Sequence, residues 1–239
     1  KMRAAKGIPS TAAITPIQFC EKYCQYVDEG YTDVIHVPIN RSGSSTYNNA
    51  VMAQGMLREE RPEHHLNIHL LDPHTYSMVF GWYLCEMARK LQNGAELRHV
   101  ISEFETQMNK MEVILGPYSL KQMKKSGRIS AAAAVMGELM GIRPIITLID
   151  GKTKVESKVR GDDKVIPAMI DLCKKRTEGV EDFDYMIGHT SIPQAAELEK
   201  ACRKAFGRAP LVTFNLGGVV SANTGPDTLA LVYVGKARD

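Results

Sequence analysis

A short run of hydroxyl side chains, Ser44, Ser45 and Thr46, offers the clearest chemistry in this 239-residue sequence. The run follows a segment rich in β-branched residues that ends at Ile39 and is typical of a buried strand, and it opens a segment typical of a helix. The first amides of a helix lack intrahelical partners and carry partial positive charge, so this loop suits an anion. Helix capping by the same hydroxyls, with no ligand, is the alternative interpretation.

Enzyme motifs that would use these residues are incomplete. Ser44 is well placed for a nucleophile, but the loop lacks the G-x-S-x-G pattern and no Asp/His pair is evident to serve it. Gly151-Lys152-Thr153 resembles the end of a phosphate-binding loop, yet Ile146 stands where the first glycine is needed, and no G-x-G-x-x-G is present. A serine-type hydrolase or a small-molecule kinase using the Ser44 loop therefore remains only the alternative to a binding protein.

Histidines and cysteines give no framework for a metal or a disulfide. His65 and His69 are four residues apart, but the segment is typical of a strand, so the helical spacing that could hold zinc is lost. Cys20 and Cys24 share one face of an amphipathic helix, where we expect buried thiols. The five cysteines are odd in number and scattered, which favours a reducing, cytoplasmic location.

Composition excludes several classes of protein. A net charge of +3, with 24% charged and 44% hydrophobic residues, gives no electrostatic footprint for nucleic acid or an acidic membrane. The most apolar stretch, residues 131–149, is interrupted by Glu138, Arg143 and Pro144, so we expect no membrane insertion. The basic start Lys1-Met2-Arg3 has no apolar segment after it, and no signal peptide is predicted.

The pattern of elements predicts two α/β domains. Strands predicted over 33–39, 66–71 and 113–115 alternate with helices, which favours an N-terminal parallel-sheet α/β/α domain. Thr15, followed by proline and with Gln18 three residues on, predicts the start of its first helix.

The pattern changes after Gly116-Pro117, which predicts the domain boundary. Strands on either side of Asp150-Gly151 indicate a hairpin, and the later mixture of strands and helices indicates a mixed sheet. We therefore predict an N-terminal domain over 1–116 and a C-terminal two-layer mixed-sheet α/β domain over 117–239.

An ordered set of segments carries a family resemblance. Ser44-Ser45-Thr46-Tyr47-Asn48 matches an S-G-T-Y-Q loop, and Thr224-Gly225-Pro226 matches part of H-T-G-P-G. Three longer segments also match, in the same order along the chain. One precedes the Ser44 loop, Thr11 to Phe19, and two lie between that loop and Thr224, namely Leu120 to Ser130 and Gly141 to Lys152. Together they resemble the DegV family, whose members bind fatty acids and whose bacterial members serve as the acyl-carrying subunit of a fatty acid kinase.

The resemblance implies a role for each of five residues. Thr11 and Ser44 match hydroxyls that hold the fatty-acid carboxylate, and Ser45 falls at a glycine whose backbone N–H approaches the same group. Asn223 falls where the family usually has a histidine near the head group. Arg160 matches an arginine implicated in docking the kinase.

The same resemblance implies a carrier with no catalysis of its own and no cofactor. Its ligand would be a long-chain fatty acid such as palmitate or stearate. We expect the tail to lie in a tunnel walled largely by the second domain, with residues 131–140 as a candidate wall, and close helix packing by their small residues is the alternative interpretation. An ATP-dependent fatty acid kinase would phosphorylate the bound carboxylate. The family's first strand, with its D-S motif, has no counterpart in this sequence, so either residues before Lys1 are missing, which would leave the parallel sheet incomplete, or the strand is absent.

Overall fold

The computed structural model describes residues 9–127, 129–130, 141–181 and 183–237. The candidate tunnel wall at 131–140 lies outside the described residues. Contacts divide the described chain into two compact units, which are described separately below. We call Ala12–Tyr76 the small unit and the rest of the described chain the large unit.

The small unit is a two-stranded parallel sheet with two helices. Asp33 in the first strand pairs with Asn67 in the second, and His36 pairs with Leu70. The elements, in chain order, are α1 (Pro16–Asp28), β1 (Asp33–His36), α2 (Thr46–Glu60) and β2 (Asn67–Leu70). The helices pack on each other around a core of Cys20, Tyr23, Cys24, Ala53, Leu57 and Leu66.

Helix α1 begins where the sequence predicts. The Thr15 side chain accepts a hydrogen bond from the backbone N–H of Gln18, and the Gln18 side chain accepts one from the backbone N–H of Thr15. Pro16 occupies the first helical position, where its missing N–H costs nothing. This capping box fixes the start of the helix that carries Cys20 and Cys24.

The large unit is built on a six-stranded mixed sheet in the described part of the chain. The strand order is β5-β4-β3-β8-β6-β7, and only β6 and β7 are parallel neighbours. Its strands are β3 (Met111–Pro117), β4 (Ile142–Ile149), β5 (Lys152–Arg160), β6 (Tyr185–His189), β7 (Thr213–Asn215) and β8 (Thr228–Val234). Its helices are α3 (Met78–Gln92), α4 (Leu97–Met108), α5 (Lys121–Ser126), α6 (Val165–Arg176), α7 (Gln194–Phe206) and α8 (Gly218–Thr224). The predicted α/β class, with a small parallel sheet and a larger mixed one, is confirmed.

The predicted hairpin is also confirmed. Strands β4 and β5 pair antiparallel, and Ile149 lies opposite Lys152. Between them, Asp150 and Gly151 have φ values of 51° and 73°. Two consecutive positive φ angles match the right-handed twist of a two-residue hairpin, and an aspartate-glycine pair favours them.

Strand β3 differs from the sequence expectation. It is buried along its whole length and lies antiparallel between β4 and β8, rather than joining the parallel sheet. An apolar strand buried on both faces has the same sequence pattern in either sheet type, so composition does not reveal its partners. The predicted division of the chain at Gly116 stays a prediction.

Gly116 lies inside β3, and its small size has a packing reason. A Cβ atom there would lie 2.4 Å from Met169 Sδ and 2.8 Å from Val165 Cγ1. Glycine in a strand often marks such a close approach, here of helix α6 to the sheet. The glycine therefore serves packing at this position and not a turn.

A buried carboxylate in β3 links that strand to helix α6 and strand β8 of the large unit. Glu112 in β3 is 6% exposed, and its carboxylate accepts hydrogen bonds from Arg176 Nε at 2.5 Å, Arg176 Nη2 at 3.0 Å and Tyr233 Oη at 2.6 Å. The hydrogen bond to Glu112 raises the pKa of Arg176, which stays charged. Three donors compensate the burial of one carboxylate, as a charge in a protein interior requires.

Within the described residues, the structure contains no helix with the length and apolar character needed to cross a bilayer. Four of the five cysteines are buried as free thiols, and Cys85 is exposed on α3.

Candidate functional site

The Ser44 loop lies between the carboxyl end of β1 and helix α2 in the small unit. Ser44 Oγ accepts a hydrogen bond from the backbone N–H of Thr46 at 3.2 Å and lies 2.7 Å from Thr46 Oγ1. When Thr46 donates in the second contact, Ser44 accepts both hydrogen bonds and its own proton is left to donate. Ser44 is half-buried and can present that proton to an anion at the start of the helix.

Ser45 occupies the N-cap position of α2 without capping it. Its backbone has φ −69° and ψ −6°, in the helical region, and within the described chain its hydroxyl makes no capping hydrogen bond. The N-cap of α1, by contrast, is satisfied from both sides by its capping box. The start of α2 therefore retains amide donors that an external acceptor can use.

A buried asparagine that the sequence analysis missed holds the loop in shape. Asn40 is 1% exposed, and its Oδ1 accepts hydrogen bonds from both the backbone N–H and the Oγ of Ser42, each at 3.0 Å. Its Nδ2 donates to Tyr76 Oη at 3.1 Å, and its backbone N–H donates to the carbonyl of Thr75 at 3.1 Å. The only sequence signal was an asparagine directly after an apolar strand, which ordinary turns share.

Gly43 packs directly against Tyr76. A Cβ atom on Gly43 would lie 1.8 Å from Tyr76 Oη, closer than any real contact, so a larger residue would displace the ring or the loop. The approach of Tyr76 thus makes glycine necessary one residue before Ser44.

Arg41 places a positive charge in the same loop. Its guanidinium lies over the ring of Tyr47, 5.0 Å from the ring centroid, and its backbone N–H donates to Asp72 Oδ1 at 3.4 Å. The cation and the helix amides favour the same sign of ligand, an anion.

The other three predicted residues lie in the large unit. Thr11 is exposed. Asn223 is half-buried in α8, and its Nδ2 donates to the carbonyl of Val219 at 2.9 Å, within its own helix. Arg160 is exposed at the end of β5. Ser44 and Ser45 thus share one loop of the small unit, and the roles of all five predicted residues stay predictions.

The contacts of Ser44 do not support a hydrolase. Within the described ranges, both hydrogen-bond partners of its hydroxyl belong to Thr46, and neither is an imidazole. His36, at the end of β1, instead pairs through Nδ1 with Tyr23 Oη at 2.6 Å, and burial lowers the pKa of His36. The Asp33–His69 pair, at 2.8 Å, involves the amino end of β1, whereas the Ser44 loop follows its carboxyl end.

The histidines near β2 line an open cleft in the small unit. The cleft has a volume of about 730 Å³ and is lined by Gln54, Leu57, Arg58, His64, His65, Leu66, Asn67, Ile68 and His69. Its lining is mostly polar, which does not suit a hydrocarbon chain. Among the described residues, the histidines also form no group of three ligand atoms close enough to share a metal ion.

Comparison with known proteins gives one family. The profile of a family described as "Uncharacterised protein, DegV family" matches residues 1–236. A DegV domain-containing protein of Staphylococcus aureus is 28% identical over 241 residues, which covers 99% of this chain and 81% of the relative. One from Clostridium perfringens is 28% identical over 232 residues, covering 95% of this chain and 78% of the relative.

Solved structures give the same fold. A stearic acid-binding protein from Eubacterium ventriosum superposes with a TM-score of 0.86 at 20% identity, covering 99% of this chain and 81% of that one. A fatty acid-binding DegV family protein from Streptococcus agalactiae has a TM-score of 0.83 at 25% identity, covering 98% and 81%. A DegV lipid-binding protein from Thermotoga maritima has a TM-score of 0.80 at 22% identity, covering 100% and 82%.

Proposed function

Because this chain belongs to the DegV family, we propose that it binds one long-chain fatty acid and holds the carboxylate at the Ser44 loop. The observation that carries the proposal is the start of α2, where Ser45 makes no capping hydrogen bond in the described chain and Ser44 keeps a proton to donate when Thr46 donates to it. Similar solved proteins bind stearic acid and heptadecanoic acid, which are ligands of the same class.

The energetics suit a ligand with a long tail and one charge. Burying about 14 methylenes at roughly 0.8 kcal/mol each gives a gross gain of about 11 kcal/mol. Association and ordering remove several kcal/mol of that gain. The carboxylate must stay hydrogen-bonded, since a bare buried charge is costly. Amide and hydroxyl donors at a helix start meet that need, and Arg41 adds a favourable charge nearby.

The protein would then present the acid to a separate enzyme. We propose that an ATP-dependent kinase phosphorylates the bound carboxylate to an acyl phosphate, that exposed Arg160 contributes to docking it, and that the pair works in the cytoplasm. This chain orients the carboxylate and keeps the tail from water, and it does not catalyse the transfer itself.

The first test identifies the ligand and its stoichiometry. The full chain purified from bacteria is analysed by native mass spectrometry, and we expect one fatty acid of about C14–C18 per chain, as the methylene estimate requires. Turnover of ester substrates without a retained acid would contradict the carrier role and favour the hydrolase.

The second test separates side-chain from backbone contacts at the head group. Ser44→Ala should weaken fatty-acid binding about tenfold, the size expected for losing one hydrogen bond to a charge. Ser45→Ala, its matched neighbour, should bind as the unaltered protein does, because the backbone N–H remains. Ser45→Pro removes that N–H and should weaken binding.

The predicted roles of Thr11 and Asn223 are tested in the same assay. Ser44→Ala combined with Thr11→Ala should bind more weakly than either single variant, and Asn223→His should not weaken binding. Full affinity in the double variant would show the head-group assignment to be wrong.

A further inference from the structure

Two thiols and a carboxylate meet between the helices of the small unit. Cys20 and Cys24 lie one turn apart on α1 and are both buried, and Glu60 is the last residue of α2 and is exposed. We propose that Cys20, Cys24 and Glu60 form a binding site for one thiophilic divalent cation of the zinc class.

The distance between Cys20 and Glu60 matches that of a tetrahedral site, and Cys24 lies near both. One ligand atom from each of the three residues lies within 4.8 Å of the other two, and Cys20 Sγ lies 3.6 Å from Glu60 Oε2. With metal–sulfur and metal–oxygen bonds of about 2.3 and 2.1 Å, tetrahedral geometry separates sulfur from oxygen by about 3.6 Å and two sulfurs by about 3.8 Å. Cys20 and Glu60 therefore already stand at the separation of shared ligands, and small side-chain movements complete the site.

The donor set selects the class of metal. Two thiolates favour zinc and similar soft or borderline cations over calcium and magnesium, which take oxygen ligands. Three protein ligands leave a fourth position, and the exposed carboxylate gives it access to water. Helix geometry favours the metal over a disulfide here, because i and i+4 side chains are parallel neighbours on one helix face.

Binding exchanges protons for the cation. A thiol coordinates a metal ion as the thiolate, so Cys20 and Cys24 must each give up a proton on binding. Without a metal ion, the Cys20 thiol donates a hydrogen bond to Glu60 Oε2 at 3.6 Å. The cation takes the place of both thiol protons, and two protons leave to solvent for each ion bound.

The site joins the two helices that shape the small unit. Cys20 and Cys24 belong to its buried core, and Glu60 lies at the far end of the helix that the Ser44 loop begins. A bound ion would link α1 to α2 and stabilise the unit by an amount that grows with the logarithm of the ion concentration above the dissociation constant. This role is separate from fatty-acid binding, so either can fail without the other.

The test uses the reduced full chain, stripped with a chelator and titrated with Co²⁺ and then Zn²⁺. We expect one Co²⁺ per chain with thiolate-to-cobalt charge-transfer absorption, its displacement by Zn²⁺, and a higher thermal midpoint with Zn²⁺. Cys20→Ser and Cys24→Ser should each weaken binding about 100-fold, and Glu60→Gln about 10-fold. Cys85→Ser, which alters the exposed thiol outside this cluster, is the matched control and should change nothing.

Three results would overturn the proposal. One is the absence of the charge-transfer band in the unaltered protein, and another is its loss in Cys85→Ser. The third is unchanged affinity in the variants that keep the native circular dichroism spectrum. If the cysteine variants lose that spectrum, Glu60→Gln decides, because its exposed side chain is not part of the core and an unchanged affinity there contradicts the site.

Discussion

The small and large units differ in how their buried polar groups are hydrogen-bonded. In the large unit, β3 is buried along its length and its one buried carboxylate, on Glu112, is fully engaged by Arg176 and Tyr233. In the small unit, both strands begin exposed and span four residues. Beside its Ser44 loop, the buried Thr75 Oγ1 has no hydrogen-bond partner in the described chain. Unpaired polar groups are costly, and they are tolerated where a ligand or solvent can meet them. The buried carboxylate of the large unit is thus satisfied within the protein, whereas the small unit keeps a buried polar atom without a partner in the described chain beside the Ser44 loop.

The largest expected effect comes from Glu112 in the large unit. Glu112→Ala leaves Arg176 and Tyr233 without their shared acceptor, and we expect a loss of about 3–5 kcal/mol in the free energy of unfolding, measured by urea denaturation. The matched control is Glu103→Ala, because Glu103 is an exposed carboxylate paired with Lys90. That pair is worth less than about 1 kcal/mol. Equal losses in the two variants would contradict the larger contribution that we assign to the buried carboxylate of Glu112.

Substitutions at two glycines should distinguish an effect on core packing from an effect on fatty-acid binding. Gly116→Ala would bring a Cβ atom to 2.4 Å from Met169 Sδ in the large unit. It should cost about 1–3 kcal/mol of stability with no change in fatty-acid affinity. Gly43→Ala would push on Tyr76 beside the loop. It should weaken fatty-acid binding about tenfold at a smaller cost in stability.

Gly55 provides the control for both variants. It lies within α2, where a Cβ atom would meet nothing within 4 Å among the residues that the structure describes. Gly55→Ala should therefore stabilise the protein by about 0.5–1 kcal/mol and leave binding unchanged. A binding defect in this variant would mean that binding is sensitive to any change in this region. The weaker binding of Gly43→Ala could then not be assigned to its contact with Tyr76.

Each unit has a histidine whose pKa burial lowers, His36 in the small unit and His189 in the large one. As pH falls below about 6.5, the unfolded chain takes up these protons before the folded chain does. Stability is therefore full at neutral pH and declines toward acid as the pH falls through the lowered pKa of each histidine.

Variants assign this loss to one unit or the other. His36→Gln and His189→Gln should each flatten part of the acid limb in urea denaturation between pH 7 and pH 5. NMR titration of the two imidazoles measures the pKa values directly. If neither variant changes the slope of the free energy of unfolding against pH, groups other than these two histidines cause the loss of stability in acid.

The smallest effect compares the two helix starts of the small unit. Thr15→Ala removes a capping box and should cost about 1 kcal/mol, seen as a lower urea midpoint. Ser45→Ala removes a hydroxyl that makes no capping bond, so stability should change by less than about 0.3 kcal/mol. A similar loss of stability in both variants would mean that the Ser45 hydroxyl caps α2 in solution. It would then occupy the backbone N–H groups that we assign to the ligand.

Local features were predictable from the sequence because neighbouring residues determine them. The capping box at Thr15 and Gln18 and the turn at Asp150-Gly151 are both present where expected. Their hydrogen bonds and dihedral angles depend on residues at most three apart. The Ser44 loop was found for the same reason, since a hydroxyl run before a helix has a local meaning.

Long-range features were not predictable in the same way. The partners of β3 are decided by strands far along the chain, and its apolar sequence fits either orientation. Asn40 and Tyr76 support the loop across 36 residues, and neither carries a motif. The nearness of Glu60 to Cys20, 40 residues away, likewise follows from helix packing and not from spacing.

The position of β3 has a consequence for synthesis. Its neighbour β8 comes last among the strands, and Glu112 meets Tyr233 across 121 residues of chain. A nascent chain leaving the ribosome can complete the parallel pair of β1 and β2 early, because those strands are close in sequence. Strand β3 must wait with one edge open until β8 has been translated, and that interval is when the chain most needs protection from aggregation.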